Sequence, residues 1–154
     1  MLNLIVAVDE NWGIGKDNKL LAHIPEDMRY FTEKTMGRTV IMGENTFKSL
    51  PGGALPGRDN IVITFDENFH AENVKVQHDL EDLPDNGFVI GGASIYRQLL
   101  PACDCCYITK VHKTFDADTF MPNLDELPEW ELASTSEMKK HNDIEFQFCV
   151  YKKA

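Results

Sequence analysis

Residues 24–31 place an acidic side chain on the apolar face of a predicted helix. Pro25 is suited to the first turn of a helix. Asp27 follows Ile24 by three residues and precedes Phe31 by four, so the three side chains share one helix face. Because burying an ionised carboxylate without a partner is costly, Asp27 is a first-turn cap, one half of an ion pair, or a group that awaits a ligand.

Two predicted strands run into glycine and then into a helix. Residues 39–43 precede a short helix over 45–50, and residues 88–91 precede a helix over 93–100. In open α/β sheets ligands collect at the carboxyl ends of strands, and free backbone N–H groups there suit phosphate. The two junctions either bracket one pyrophosphate or are ordinary tight connections. The chain contains neither G-x-G-x-x-G nor G-x-x-x-x-G-K-[ST].

Arg58 lies in a turn just before a predicted strand. It is either a solvated turn residue or, opposite an apolar wall, a bidentate clamp for a carboxylate. The five histidines show no metal-ligand spacing, and no Ser or Cys lies in a nucleophile elbow. We therefore expect neither a bound metal nor covalent hydrolysis.

Length and composition predict a single domain over residues 1–154, with 43% hydrophobic and 26% charged residues. No apolar run approaches the roughly 20 residues that span a bilayer, and the N-terminus resembles a strand rather than a signal peptide. The formal net charge of −10 argues against a nucleic-acid partner. We expect no membrane association, a cytoplasmic location, reduced cysteine thiols and a monomer.

Strand-like and helix-like segments alternate along the chain, which predicts an α/β fold. The expected architecture is one mostly parallel, mixed eight-stranded sheet with a C-terminal antiparallel hairpin and about four helices on both faces. Residues 2–8 form a central strand, residues 25–35 the first helix, residues 79–83 a brief helix, and residues 9–23 a long loop. Residues 130–138 and 144–152 pair as the hairpin.

Seven segments, taken in order, resemble dihydrofolate reductase over the whole chain. They are residues 6–8, 12–18, 25–31, 40–47, 55–58, 89–96 and 118–119. The resemblance implies hydride transfer from NADPH to the C6–N5 imine of 7,8-dihydrofolate, and susceptibility to antifolate inhibitors. In the family, the acid matching Asp27 pairs with the 2-amino group and N3 of the pterin, and a proton arrives through water.

The resemblance also assigns site residues. Asp27, Leu20 and Tyr96 are expected to be catalytic, and the loop around Ile14–Leu20 closes over the nicotinamide. The expected substrate-binding residues are Ile5, Val6, Ala7, Asp27, Phe31, Leu50, Leu55, Arg58, Ile90, Tyr96 and Thr109. Thr109 supports Asp27, and Arg58 holds the α-carboxylate of the glutamate tail.

The expected cofactor-binding residues surround the two glycine junctions and the loop. They are Ala7, Ile14, Gly15, Asn18, Leu20, Gly43, Glu44, Asn45, Thr46, Ser49, Thr64, Phe65, Asp66, His78, Gly91, Gly92, Ala93, Ser94, Ile95 and Thr119. Gly91-Gly92 matches a pair joined in the family by a cis peptide.

Three departures from the family pattern affect these expectations. Leu21-Ala22 replaces a Pro-Trp pair that helps to order water near the acid. Glu44 replaces a residue that is often basic, and Thr64 is followed by Phe65-Asp66. Both of the latter weaken a pocket for a 2′-phosphate, so NADH is an alternative to NADPH unless Lys48, His78 or another base compensates.

Two other functions remain open from the residues. A folate- or nucleotide-binding protein of this fold would have no need of Asp27 opposite Arg58. A reductase of riboflavin-pathway pyrimidines shares the fold, but its substrate has no glutamate tail for Arg58 to bind.

Overall fold

A computed structural model describes all of residues 1–154. The chain forms eleven strands, three α-helices and two short 3₁₀ turns. The strands are β1 Leu2–Val8, β2 Gly13–Gly15, β3 Thr39–Gly43, β4 Asp59–Ile63, β5 Val74–Gln77, β6 Phe88–Gly91, β7 Cys103–Val111, β8 Thr119–Phe120, β9 Trp130–Thr135, β10 Lys139–His141 and β11 Ile144–Lys153. The helices are α1 Pro25–Thr35, α2 Glu44–Ser49 and α3 Ala93–Leu99.

Eight strands form one continuous sheet in the order β10-β11-β7-β1-β6-β3-β4-β5, and β9 adds to β11. The five pairings from β7 across to β5 are parallel, whereas β11 pairs antiparallel with β7, β9 and β10. The predicted mixed sheet and its C-terminal antiparallel hairpin are therefore confirmed. β1 is central, as its continuous apolar sequence predicted.

Alternating side chains of the central strands build a core on each face of the sheet. Leu4 and Val89 belong to the larger core, to which α3 contributes Ile95, Tyr96 and Leu99. Ile5, Val40 and Met42 belong to the second core, against which aromatic side chains of α1 and α2 pack. Helices thus cover both faces of the sheet. The carboxyl ends of the parallel strands are the part of the sheet where a site can form.

Two local predictions were wrong. Residues 79–83 form bends rather than a fourth helix, because Asp79 Oδ1 accepts the Glu81 N–H at 3.0 Å and closes a turn instead. The loop 9–23 contains β2, which pairs with β8 in a separate two-stranded sheet. None of the helices is both long and apolar enough to cross a membrane.

Candidate active site

Helix α1 begins and ends where its sequence predicted. Ile24 precedes the helix in extended conformation without a side-chain cap, and Pro25 occupies the first turn. The N–H of Met36 bonds to the carbonyl of Thr32, after which Gly37 adopts a φ of +75°. The buried side chain of Ile24 anchors the first turn against Val111 and Phe146. This packing fixes the direction in which Asp27 projects.

Asp27 faces β7 and forms no ion pair. The hydroxyl of buried Thr109 donates to Asp27 Oδ1 at 2.6 Å. Burial raises the pKa of the Asp27 carboxyl, and the Thr109 hydrogen bond opposes part of that rise. Because the side chain is held by a single donor and no cation, its remaining acceptor positions are available to a ligand.

An apolar cleft lies beside Asp27. Its walls come from β1, the 9–23 loop, the start of α1 and the end of β7. The lining side chains are Ala7, Val8, Asp9, Ile14, Leu20, Leu21, Ala22, Ile24, Asp27, Val111 and Phe115. The cavity measures about 30 Å³, which is room for about two water molecules at about 15 Å³ each. The small side chain of Ala22 contributes to that room.

Arg58 lies against the opposite end of α1. Its Nη1 donates to Thr35 Oγ1 at 3.1 Å and its Nε to the carbonyl of Pro56 at 3.0 Å. Thr35 Oγ1 in turn donates to the carbonyl of Phe31 at 2.8 Å. Burial lowers the pKa of the Arg58 guanidinium, and no carboxylate of the chain pairs with it. The Arg58 guanidinium therefore retains N–H donors for an external carboxylate.

The turn that carries Arg58 is organised by Asn60. The side-chain amide of this buried residue accepts the Leu55 N–H at 2.9 Å and donates to the carbonyls of Leu55 and Arg58, each at 3.0 Å. Three hydrogen bonds from one rigid side chain hold the turn closed. The backbone that carries the Arg58 guanidinium is consequently held in one conformation.

The apolar side chains predicted to bind substrate share one cluster. Ile5 is one of its buried members, and the others pack against the buried members. These partly buried members are Phe31, Leu50, Leu55 and Ile90. The cluster lies between the Asp27 and Arg58 ends of the site, because Phe31 follows Asp27 by one turn and Thr35 follows Phe31 by another. Val6 instead packs against the other core.

Tyr96 is buried in the middle of α3, and its hydroxyl donates to the carbonyl of Ile5 at 2.9 Å. Burial raises the pKa of this phenol well above its ordinary range. The hydroxyl is therefore a neutral donor that positions β1, and the structure does not expose it as an acid.

The glycine junctions bring the backbone close to neighbouring side chains. Gly91 and Gly92 are joined by a cis peptide, as the resemblance implied. A Cβ atom on Gly91 would lie 3.2 Å from Thr46 Oγ1, and one on Gly92 would lie 3.4 Å from it. A Cβ on Gly43 would lie 3.1 Å from Ile95 Cγ1. Side chains at these positions would fill the space between the two junctions.

The 9–23 loop is tied to the rest of the site at several points. Buried Asp9 accepts the N–H groups of Asn11, Gly13 and Phe115 at 2.8–3.0 Å. The amide of Asn18 donates to the carbonyl of Asn45 at 3.1 Å, which joins the loop to α2. The Asn18 bond brings the loop against the junction between β3 and α2.

The loop is also joined to the segment around β8. Asp118 N–H donates to the carbonyl of Gly15, and Asp118 Oδ2 accepts the N–H of Asp17, both at 3.0 Å. Thr119 donates to Asp118 Oδ1 at 2.6 Å and pairs with Gly15 across the small sheet. Thr119 therefore helps to hold the loop against β8.

A polar cluster forms where β3, β4 and β5 end. Thr64 donates to Glu44 Oε1 at 2.6 Å, and Lys48 Nζ lies 2.6 Å from Glu44 Oε2. Nδ1 of His78 lies 2.7 Å from the carbonyl oxygen of Thr64. The Asp66 N–H donates back to Thr64 Oγ1 at 3.0 Å. Four predicted cofactor residues are thus joined in one network.

Several other predicted residues lie outside this network. Leu20 is 68% exposed and Phe65 is 89% exposed, so neither is held by the protein's own packing. Ser49 donates to the carbonyl of Thr46 at 2.6 Å, and Ser94 accepts from Gln98 at 2.8 Å. Ala93 opens α3. No group of three or more His, Cys, Asp or Glu side chains could hold a metal ion.

Sequence reasoning missed Asp9, Thr35 and Asn60. Thr35 had a usable signal, since it extends the 24, 27, 31 spacing of the buried helix face by four residues. Asn60 is a polar residue at the start of a buried strand, and Asp9 directly follows one. Such positions often indicate a side chain that satisfies nearby backbone groups.

Comparisons with known proteins agree with this geometry. The profile of one protein family, described as dihydrofolate reductase, matches residues 1–153. The dihydrofolate reductase of Bacillus subtilis is 39% identical over 161 residues, which cover 99% of this chain and 95% of that protein. That of Staphylococcus haemolyticus is 34% identical over 160 residues, with the same coverage.

A solved structure is also similar. The dihydrofolate reductase from Enterococcus faecalis, complexed with NADP(H) and RAB-propyl, superposes with a TM-score of 0.89 at 35% identity. The match covers 99% of this chain and 96% of that one.

Proposed function

The chain belongs to the dihydrofolate reductase family, and on that premise we propose which of its residues carry out the reaction. It is an NADPH-dependent oxidoreductase that reduces 7,8-dihydrofolate to 5,6,7,8-tetrahydrofolate and binds antifolate inhibitors. The net change is a hydride added at C6 and a proton added at N5 of the pterin.

Asp27 is the pterin-binding acid of this proposal. The single observation that carries it is a carboxylate in an apolar cleft, held by Thr109 at 2.6 Å and paired with no cation. Its free acceptor positions match the two neighbouring N–H donors of a pterin edge. The ionised acid also stabilises the protonated pterin, which makes C6 more electrophilic. Asp27 therefore orients the ring and favours the charge that develops during reduction.

The proton reaches N5 through water held beside Asp27. The cavity lined by Leu20, Leu21 and Ala22 has room for about two water molecules. Leu20 lies on the loop and is largely exposed, so closure of this loop would restrict the path to bulk solvent. The small cavity thus limits the number of water molecules that can take part in proton transfer.

Arg58 binds the α-carboxylate of the glutamate tail. The guanidinium has no acidic partner in the chain, and Asn60 fixes the turn that carries it. The apolar side chains of Phe31, Leu50 and Leu55 lie in one cluster between this cation and Asp27. They form the wall for the aminobenzoyl group.

The glycine junctions fit a dinucleotide. Side chains on Gly43, Gly91 and Gly92 would approach Ile95 or Thr46 at 3.1–3.4 Å, so only glycine leaves the space open for a ligand. When NADPH is bound, it supplies the hydride. Hydroxyl side chains near the junctions would bind phosphate or ribose oxygens; they belong to Thr46, Ser49 and Ser94. Asn18, which joins the 9–23 loop to α2, would hold the loop against the cofactor.

We also propose that residues 1–154 act as one monomeric domain in the cytoplasm. One sheet contains nine of the eleven strands and includes both β1 and β11, which supports one unit. Cys103, Cys106 and Cys149 are buried free thiols, and burial raises the pKa of each, which suits a reducing compartment. Size-exclusion chromatography with light scattering tests the monomer.

The proposed roles are tested by steady-state kinetics with NADPH and 7,8-dihydrofolate. Arg58→Leu should weaken the binding of dihydrofolate and leave the binding of a pterin without a glutamate tail nearly unchanged. Asp27→Asn should impair the reduction of both substrates. Equal effects of the two substitutions on the two substrates would contradict the assignment.

A further inference from the structure

The edge formed by the ends of β3, β4 and β5 carries an unusual balance of charge for a cofactor with a 2′-phosphate. Glu44 directly follows β3, Thr64 follows β4 and His78 follows β5. Since these neighbouring strands are parallel, their carboxyl ends meet and the three side chains come together. This is the edge at which open α/β sheets bind the ribose of a dinucleotide.

Glu44 is held in place at this edge by two bonds. One carboxylate oxygen accepts the hydroxyl of Thr64 at 2.6 Å, and the other lies 2.6 Å from Lys48 Nζ. The bonds with Lys48 and Thr64 hold the pKa of the Glu44 carboxyl below its ordinary range. The side chain is 22% exposed, so it remains accessible to a ligand. Glu44 is therefore a preorganised anion.

The surrounding groups do not reverse this negative charge. Lys48 is the cation of the cluster and is engaged by Glu44, and the Asp66 carboxylate lies close enough to raise the pKa of Lys48. Phe65 offers an exposed apolar ring with no hydrogen-bond donor. His78 directs Nδ1 to the main-chain oxygen of Thr64. The carboxylates of Glu44 and Asp66 thus lie near one ammonium group.

The two possible ribose substituents meet this edge differently. A free 2′-hydroxyl is a donor that a carboxylate can accept, and an acidic residue is the usual partner of that hydroxyl in NAD-binding sites. A 2′-phosphate carries negative charge, so it would be repelled by Glu44 and would have to take Lys48 and Thr64 from it. The same side chain favours one substituent and opposes the other.

We propose that Glu44 is a specificity-determining residue that favours a free ribose 2′-hydroxyl, so that this chain uses NADH as a hydride donor alongside NADPH. The inference rests on the proposed function of the site. It concerns one end of the cofactor only, and it leaves the roles of Asp27 and Arg58 unchanged.

Equilibrium binding tests the proposal without turnover. The dissociation constants of NAD⁺ and NADP⁺, which differ only in the 2′-phosphate, are measured by titration calorimetry for the wild type, Glu44→Arg and Glu44→Gln. Glu131→Arg is the matched control, because it makes the same change in net charge on an exposed residue of β9, at the opposite edge of the sheet. Circular dichroism verifies that each variant is folded.

We expect the wild type to bind NAD⁺ within about tenfold of NADP⁺ or more tightly. Glu44→Arg should shift the ratio of the two constants toward NADP⁺ by about tenfold or more, and Glu44→Gln should shift it in the same direction by less. Glu131→Arg should leave the ratio unchanged. If Glu44→Arg fails to fold, the direction of the Glu44→Gln shift decides the matter.

Two results would overturn the proposal. One is a wild type that binds NADP⁺ about a hundredfold or more tightly than NAD⁺. The other is a ratio that does not respond to Glu44→Arg or Glu44→Gln. Neither result affects the proposed reduction of dihydrofolate, which would be contradicted if dihydrofolate were reduced with neither NADPH nor NADH.

Discussion

Asp27 and Arg58 lie against opposite ends of the same helix. Asp27 projects from the first turn of α1, and Arg58 donates to Thr35, the last residue of α1, at 3.1 Å. Eight residues separate Asp27 from Thr35, which corresponds to about 12 Å along a helix axis. A ligand that fits both needs hydrogen-bond donors at one end, a carboxylate at the other and an apolar middle beside Phe31. A folate has this arrangement.

Substitution of Arg58 by leucine should weaken the binding of dihydrofolate selectively. We expect the KM for dihydrofolate to rise by about tenfold or more, the loss of a charge-assisted bond of about 1.5–3 kcal/mol, with kcat nearly unchanged. The KM for a dihydropterin without a glutamate tail should change little. Arg38→Leu, which removes an exposed arginine, serves as the control. Equal increases for both substrates would exclude the carboxylate clamp.

Substitution of Thr109 by valine should affect Asp27 through its pKa. The variant keeps the side-chain shape but removes the donor that lies 2.6 Å from Asp27 Oδ1. Because that bond lowers the pKa of Asp27, its loss should raise the pKa further. The acidic limb of the pH profile of kcat/KM should therefore move to higher pH, while Thr135→Val on β9 leaves it in place. A profile that does not move would show that Thr109 does not stabilise the carboxylate.

The raised pKa of Asp27 also has a consequence for stability. Between about pH 4, where an aspartate in the unfolded chain titrates, and the higher pKa in the folded protein, the folded state binds more protons. The contribution of Asp27 to the free energy of unfolding should therefore fall as the pH rises through this window. Denaturant unfolding of the wild type and Asp27→Asn at several pH values measures it. A difference between the two proteins that grows with pH in favour of the wild type would contradict this sign.

Asp9 should hold the 9–23 loop against the segment after β7. In Asp9→Asn, an amide N–H group in place of Oδ2 would face the N–H of Phe115, which Oδ2 accepts at 3.0 Å. We expect a loss of about 1–3 kcal/mol in the free energy of unfolding, since a buried donor is left unsatisfied. Amide hydrogen exchange at Gly13 and Phe115 should accelerate. Unchanged protection at both amides would mean that the loop is held by other contacts.

Local patterns were sufficient to predict α1 and the position of Asp27. Its apolar spacing, proline start and glycine stop act within one turn of the chain, so neighbouring residues determine them. The buried strands β1 and β3 were equally clear, because continuous apolar runs need cover on both faces. In contrast, the Glu81 N–H donates to the Asp79 carboxylate, and a turn forms where a helix was predicted.

The pairings between distant residues could not be obtained from such patterns. Thr109 lies 82 residues from Asp27, and Thr64 lies 20 residues from Glu44. Which side chains meet is decided by strand order and register, which spacing within one element does not specify. The resemblance to a family supplied the pairing of Thr109 with Asp27. It did not supply the bond from Thr64 to Glu44, because Glu44 departs from the family pattern.

The central claim is that Asp27 carries the reduction of dihydrofolate, and turnover of Asp27→Asn tests it most directly. The rate of NADPH oxidation with 7,8-dihydrofolate is measured at neutral pH for the wild type and the variant, with circular dichroism as a check of folding. We expect turnover by the wild type and a loss of about 10²–10⁴-fold in kcat/KM for the folded variant. A folded variant that turns over at a rate near that of the wild type would contradict it.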